Sequence, residues 1–190
     1  MTPSILRVCL LALCCLMLPV RADTPSDDNT RVKVQKNGET VIIDLSVTVP
    51  ATARETWDVL VDFDHMTQIL HNLEVSKILE KNGDQWKIEQ KGKTSHGGFT
   101  FSFETVKLIT LKPYESMQSH LVSGTLKKHE SLTTLSPDGD GTRITYHAES
   151  ISGVWVPPLL GTSVVEGEVR KQYQDLVGEI LRRKEAAGAK

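Results

Sequence analysis

The chain has 190 residues, 39% of them hydrophobic, with Lys+Arg 22 against Asp+Glu 24 and a formal charge of −2. One domain of this length can bury a sizeable core. The mild acidity offers no basic face, which argues against a nucleic-acid partner.

The N-terminus reads as an address. Arg7 supplies a positive start, Val8 to Val20 is an apolar run of 13 residues, and Val20-Arg21-Ala22 sets small residues three and one before a cleavage point. This is the pattern of a secretory signal peptide over residues 1–22, predicting a periplasmic or secreted protein. A retained anchor is the alternative, but a spanning helix needs roughly 20 residues. All three cysteines, Cys9, Cys14 and Cys15, lie inside this segment. Bulky Val8 and Leu13 precede Cys9 and Cys14, where a lipoprotein site would want a small residue. Cleavage after Ala22 therefore leaves a chain with no disulfide, dependent on its core alone.

Residues 23–30 are polar, contain Pro25 and Asp27-Asp28, and read as a flexible leader. Val32 and Val34 then alternate with charges up to Asn37-Gly38, a hairpin signal. The returning strand carries Val41, Ile43, Leu45, Val47 and Val49 on one face, a period of two. Pro50 ends it. Thr52 with Glu55 predicts a capping box, opening a helix that carries Trp57, Leu60 and Val61. Phe63, Met66, Ile69 and Leu70 predict a second short helix.

Strands are predicted over Glu74–Glu80 and Trp86–Lys91, joined at Asn82-Gly83-Asp84. Gly97-Gly98 breaks the chain before Phe99, Phe101 and Phe103, which share one strand face. Pro113 separates that strand from Met117–Ser123. Gly124 marks a turn or bulge before Lys127–Leu135, and Pro137 to Gly141 is a turn before the last strand, Thr142–Glu149. Trp155, Pro157, Pro158 and Gly161 form a loop. Ser163 with Glu166 predicts a second capping box for a helix running to about Ala187, roughly 36 Å long. Val165, Val169, Tyr173, Leu176, Val177, Ile180 and Leu181 form its apolar stripe. Its basic end suits a helix C-terminus.

The six histidines, His65, His71, His96, His120, His129 and His147, include no pair at the i, i+4 spacing of a helical zinc motif. His147 and Glu149 share a strand face and could converge on a metal or proton, but that face reads as solvated. No Gly-x-Ser-x-Gly elbow is present, and the glycine pairs mark turns rather than phosphate loops. No metal or cofactor is expected. The elements point instead to an apolar pocket between sheet and terminal helix. Candidate ligand-binding residues are Phe101, Phe103, Ile144, Tyr146, Ala148, Trp155, Val165, Val169 and Tyr173, each with an ordinary core role as its alternative. A tyrosine hydroxyl must find a partner when buried, so Tyr146 or Tyr173 could orient a polar head group.

Val49-Pro50-Ala51-Thr52-Ala53-Arg54-Glu55-Thr56-Trp57-Asp58-Val59-Leu60-Val61-Asp62-Phe63 resembles the opening signature of the START-like (SRPBCC) superfamily, which includes polyketide cyclases, coenzyme-Q-binding proteins and lipid-transfer domains. Val122 to Lys127 and Asp140 to Tyr146 resemble two later family segments. The resemblance implies an α+β helix-grip fold over residues 31–187. A curved antiparallel sheet would wrap a long C-terminal helix, with two short helices after the second strand. It implies that the positions of Tyr146 and Ala148 face a cavity. The expected function is an exported binding protein holding a hydrophobic, lipid-like or quinone-like small molecule in that pocket. The alternative is a cyclase- or aromatase-like enzyme acting on a polyketide-like substrate, with Tyr146 and His147 as acid-base candidates. A third reading is contact of the outer sheet face with an envelope protein or membrane surface.

Overall fold

Strand parity decides which side of the sheet is dry. In a computed structural model, which describes residues 29–153 and 161–189, β1 (Arg31–Asn37) and β2 (Thr40–Val49) form an antiparallel hairpin. Ile43, Leu45, Val47 and Val49 are buried on one face of β2, while Asp44 on the other is exposed. The turn sits one residue later than the Asn37-Gly38 pair suggests. Asn37 closes β1 opposite Thr40, and Gly38 takes φ +59, a region that glycine enters without strain. Asn29 and Thr30, the last two residues of the predicted leader, are tied to the fold. Thr30 is buried, its carbonyl accepts from Arg170, and Asn29 Nδ2 donates to the Thr48 carbonyl at 3.1 Å.

The predicted capping box is present. Thr52 Oγ1 accepts from the Glu55 amide at 3.2 Å, and the Thr52 amide donates to Glu55 Oε2 at 2.7 Å. These bonds satisfy amide donors that a helix start leaves open. The helix α1 (Ala53–Leu60) buries Trp57, Val59 and Leu60. A 3-10 turn (Phe63–His65) leads into the single turn α2 (Met66–Ile69), burying Phe63 and Met66. Trp57 meets Tyr114 edge-on at 6.1 Å between ring centroids, and Phe63 meets Trp86 at 6.2 Å, sealing one end of the core.

Six strands follow as a meander: β3 (Leu73–Asn82), β4 (Gln85–His96), β5 (Phe99–Lys112), β6 (Ser116–Gly124), β7 (Leu126–Asp138) and β8 (Gly141–Ser152). β4 and β8 run longer than their apolar patterns suggest because tight loops keep the ladder paired to the turn. His96 is opposite Phe99, and Asp138 opposite Gly141. The eight-stranded sheet has the order β1-β2-β8-β7-β6-β5-β4-β3, antiparallel throughout. Register shifts interrupt β3–β4, β5–β6 and β7–β8. Such bulges add local twist and bend a sheet into a concave surface.

The last helix, α3 (Thr162–Gly188), lies in that concavity and buries Val169, Tyr173, Leu176 and Ile180. The second capping box is not formed. Gly161 is the N-cap without a side-chain bond, Ser163 lies inside the first turn, and Glu166 pairs with Arg170 at 3.2 Å. The basic residues are not spent on the final turn either. Arg183 donates to Asp62 at 2.7 Å and to Glu179 at 2.6 Å, and Lys184 donates to the Pro50 carbonyl, fixing this end of α3 against the chain around α1. The whole is the α+β helix-grip arrangement.

Candidate functional site

Between the inner sheet face and α3 lies a cavity of about 450 Å³. Its apolar wall includes Phe101 and Phe103 from β5, Tyr146 from β8, and Val165 and Val169 from α3. The phenylalanines reach it because alternate residues of a strand share a face. A second cavity of about 180 Å³ lies deeper toward Phe63, Met66 and Leu176, and shares Tyr146, Val169 and Gln172 with the first. The larger volume falls within the roughly 300–1,000 Å³ range of small-molecule pockets.

The sequence-predicted residues separate into groups here. Phe101, Phe103, Tyr146, Val165 and Val169 line the larger cavity, and Tyr173 lines the smaller one. Ile144 and Ala148 do not line either. Both are fully buried, and their β8 positions pair with Val47 and Ile43 on one side and Leu135 and Ser131 on the other, so they belong to the packed core. Trp155 lies outside the described residues.

Tyr146 and Tyr173 pack at 5.7 Å between ring centroids. Burial pushes the Tyr146 phenol up to about 12, partly opposed by its hydrogen bond with Ser131. Burial also raises Tyr173 well above the ordinary value, with Tyr146 adding to the effect and a hydrogen bond with Thr133 opposing it. Both are protonated hydroxyls at neutral pH, able to orient a polar group. The other acid-base candidate is on the wrong side: His147 is on the outer face, with Nδ1 2.8 Å from Asp44 Oδ1. Its neighbour Glu149 pairs with Lys128 at 3.3 Å, so the two do not converge. Among the described residues no group of three or more His, Cys, Asp or Glu side chains is arranged to hold a metal. A shallow hollow of about 340 Å³ on this outer face, bordered by Asp44, Leu132 and His147, is open to solvent.

Two titratable residues outside the sequence-predicted set line both inner cavities: Lys107 from β5 and His129 from β7. Burial lowers Lys107 to about 8 and His129 to about 4, the nearby Lys107 charge adding to the effect on the histidine. His129 Nδ1 lies 2.8 Å from Ser150 Oγ. The signal for both was parity. Lys107 is in phase with Phe101 and Phe103, and His129 with Ser131, Thr133 and Leu135. At the α3 side, Glu168 accepts from Asn72 at 2.7 Å and Thr94 at 3.0 Å and lies 3.3 Å from His71.

The fold has many solved counterparts. The Zhui aromatase/cyclase from Streptomyces sp. R1128 is 16% identical, with a TM-score of 0.63, covering 78% of this chain and 98% of that one. A STAR-related lipid transfer protein from Xanthomonas axonopodis is 15% identical at a TM-score of 0.63, with the same coverage of 78% and 98%. A START superfamily protein from Mycobacterium smegmatis is 16% identical at 0.61, covering 74% and 97%. At these identities the likeness carries the fold alone. No curated protein sequence matches. A family model does match residues 49–177, and on that stretch the chain belongs to the polyketide cyclase / dehydrase and lipid transport family.

Proposed function

We propose that this chain is an exported binding protein that holds a hydrophobic, lipid-like or quinone-like small molecule between the sheet and α3. The observation that carries the reading is the cavity of about 450 Å³ walled by Phe101, Phe103, Val165 and Val169. Apolar area withdrawn from water there stabilises a complex by roughly 25 cal/mol per Å². Membership of a family described by lipid transport supports the ligand class. The likeness to a lipid transfer protein supports the same architecture for that task. Export is supported by the apolar, cleavable-looking N-terminal segment.

The test is native mass spectrometry of the protein taken from the periplasm of an expressing cell, followed by solvent extraction. An apolar molecule should co-purify, and the periplasmic chain should begin after Ala22. Recovery only from the cytoplasm would reject export. A protein that carries nothing and binds nothing from a panel of lipids and quinones would reject the binding reading.

A further inference from the structure

Lys107 is a lining residue whose presence an apolar pocket does not explain. It projects from the inner face of β5, two residues after Thr105, and lines both cavities. Its register partners are Ile88 on β4 and Leu121 on β6, neither of which can accept a proton or a charge. Among the described residues its ammonium has neither an ion pair nor a hydrogen bond, and desolvation alone acts on its acidity. The carboxylate that lines the larger cavity, Glu168, is engaged by Asn72, Thr94 and His71. A desolvated cation without a counter-charge is costly, and a bound anion removes that cost.

A second observation points the same way. Ser119 Oγ lines the smaller cavity beside Lys107, is buried, and has no hydrogen-bond partner among the described residues. Buried hydroxyls are nearly always bonded, so this donor is also unspent. His129 completes the polar end on β7, its Nδ1 tied to Ser150 at 2.8 Å. Phe101, Phe103 and Val165 line only the larger cavity, giving an apolar stretch beyond this polar end.

We propose that the cavity is built for an amphiphile with a single carboxylate head, seated on Lys107 with Ser119 and His129 beside it and its hydrocarbon body along Phe101, Phe103 and Val165. The proposal rests on the binding reading above and narrows it from any apolar molecule to an anionic one. A quinone or sterol would leave the ammonium desolvated and unpaired. A long-chain carboxylate neutralises it, and charge-assisted bonds of this kind are about twice as strong as neutral ones. Among the described residues, the other titratable groups lining the two cavities are His96, His129, Tyr146, Glu168 and Tyr173.

The experiment compares dodecanoate with dodecanol by calorimetry on the purified chain. Dodecanoate should bind at least tenfold more tightly. In Lys107→Met the preference should fall to within twofold, with dodecanol binding retained, while Lys107→Arg should keep the preference. NMR of the Lys107 side chain supplies an independent readout in the unmutated protein: its titration should move to higher pH on saturation with dodecanoate and stay in place with dodecanol. Equal affinity for the two probes, a preference that survives Lys107→Met, or an unmoved titration would overturn the carboxylate proposal and leave the binding reading standing. Failure of both probes to bind would overturn the two together.

Discussion

Single positions on β8 separate cavity from core. Ile144 is fully buried and lines neither inner cavity, so Ile144→Ala should cost about 2–5 kcal/mol. Denaturant midpoints would read that loss, while affinity for an apolar probe should be unchanged in the folded fraction. Val165 gives the mirror result. It is half-buried on the cavity wall, so Val165→Trp should remove binding of the same probe at little cost in stability. Tyr146→Phe removes the hydroxyl bonded to Ser131 and should cost about 1 kcal/mol, measured by the same unfolding assay. Much of this was legible from alternation: Phe101, Phe103 and Tyr146 follow from parity on their strands. The same rule misassigned Ile144 and Ala148, because facing inward says nothing about whether packing continues above a side chain. Lys107 and His129 escape a search for apolar side chains, although the parity of their strands turns both inward.

Among the elements, α3 and the β6–β7 junction carry the geometry that makes a hollow. Gly124 sits at φ +143, and a Cβ there would fall 2.1 Å from the Glu104 carbonyl oxygen. Both atoms are bound into backbone, since Thr125 N donates to that same oxygen at 2.8 Å. Gly124→Ala should therefore destabilise by more than the ~1 kcal/mol of an ordinary glycine replacement, and circular-dichroism melting would show it. That glycine announces itself in the sequence only as a break. The clash that requires it is with a carbonyl twenty positions upstream, which no local pattern contains. The start of α3 is a similar case. Ser163 and Glu166 have the right spacing for a cap, yet the helix begins at Thr162 and Glu166 is drawn to Arg170. By contrast, the α1 capping box and the two short helices were readable, because every bond that defines them is local.

For the molecule as a whole, acid should act through groups with depressed proton affinity. His129 titrates at about 4 in the fold against an ordinary 6.5, so the unfolded chain takes up its proton first and stability falls as pH drops from 6.5 toward 4. Glu179, held down to about 2 by Arg182 and then Arg183 against an ordinary 4.5, contributes stability above 4.5 that is lost as pH falls toward 2. Lys107 works on the alkaline side. With about 8 in the fold against 10.5, its burial penalty is fully present below pH 8 and fades as pH rises toward 10.5. Urea midpoints should decline between pH 6.5 and 4, and His129→Gln should flatten that limb. Fold and element order were recoverable from sequence because eight strands, the glycine-marked turns at Gly38, Gly83, Gly97-Gly98 and Gly139, and one helical stripe agree with one another. The half-buried Lys107 charge was not, since it emerges only when β5 and β7 are folded onto the same concave wall.

α3 covers the concavity and follows every strand of the sheet in chain order, and this sets an order of events during biosynthesis. The strands from Arg31 to Ser152 leave the ribosome before the segment that covers them, at ~5–20 residues per second. Until Gly188 has emerged, the nascent sheet presents Ile43, Leu45, Ile88 and Ile109 as a bare greasy trough. A polypeptide stopped at Gly161 should be captured by chaperones or aggregate, and supplying the missing helix as a separate peptide should restore its solubility.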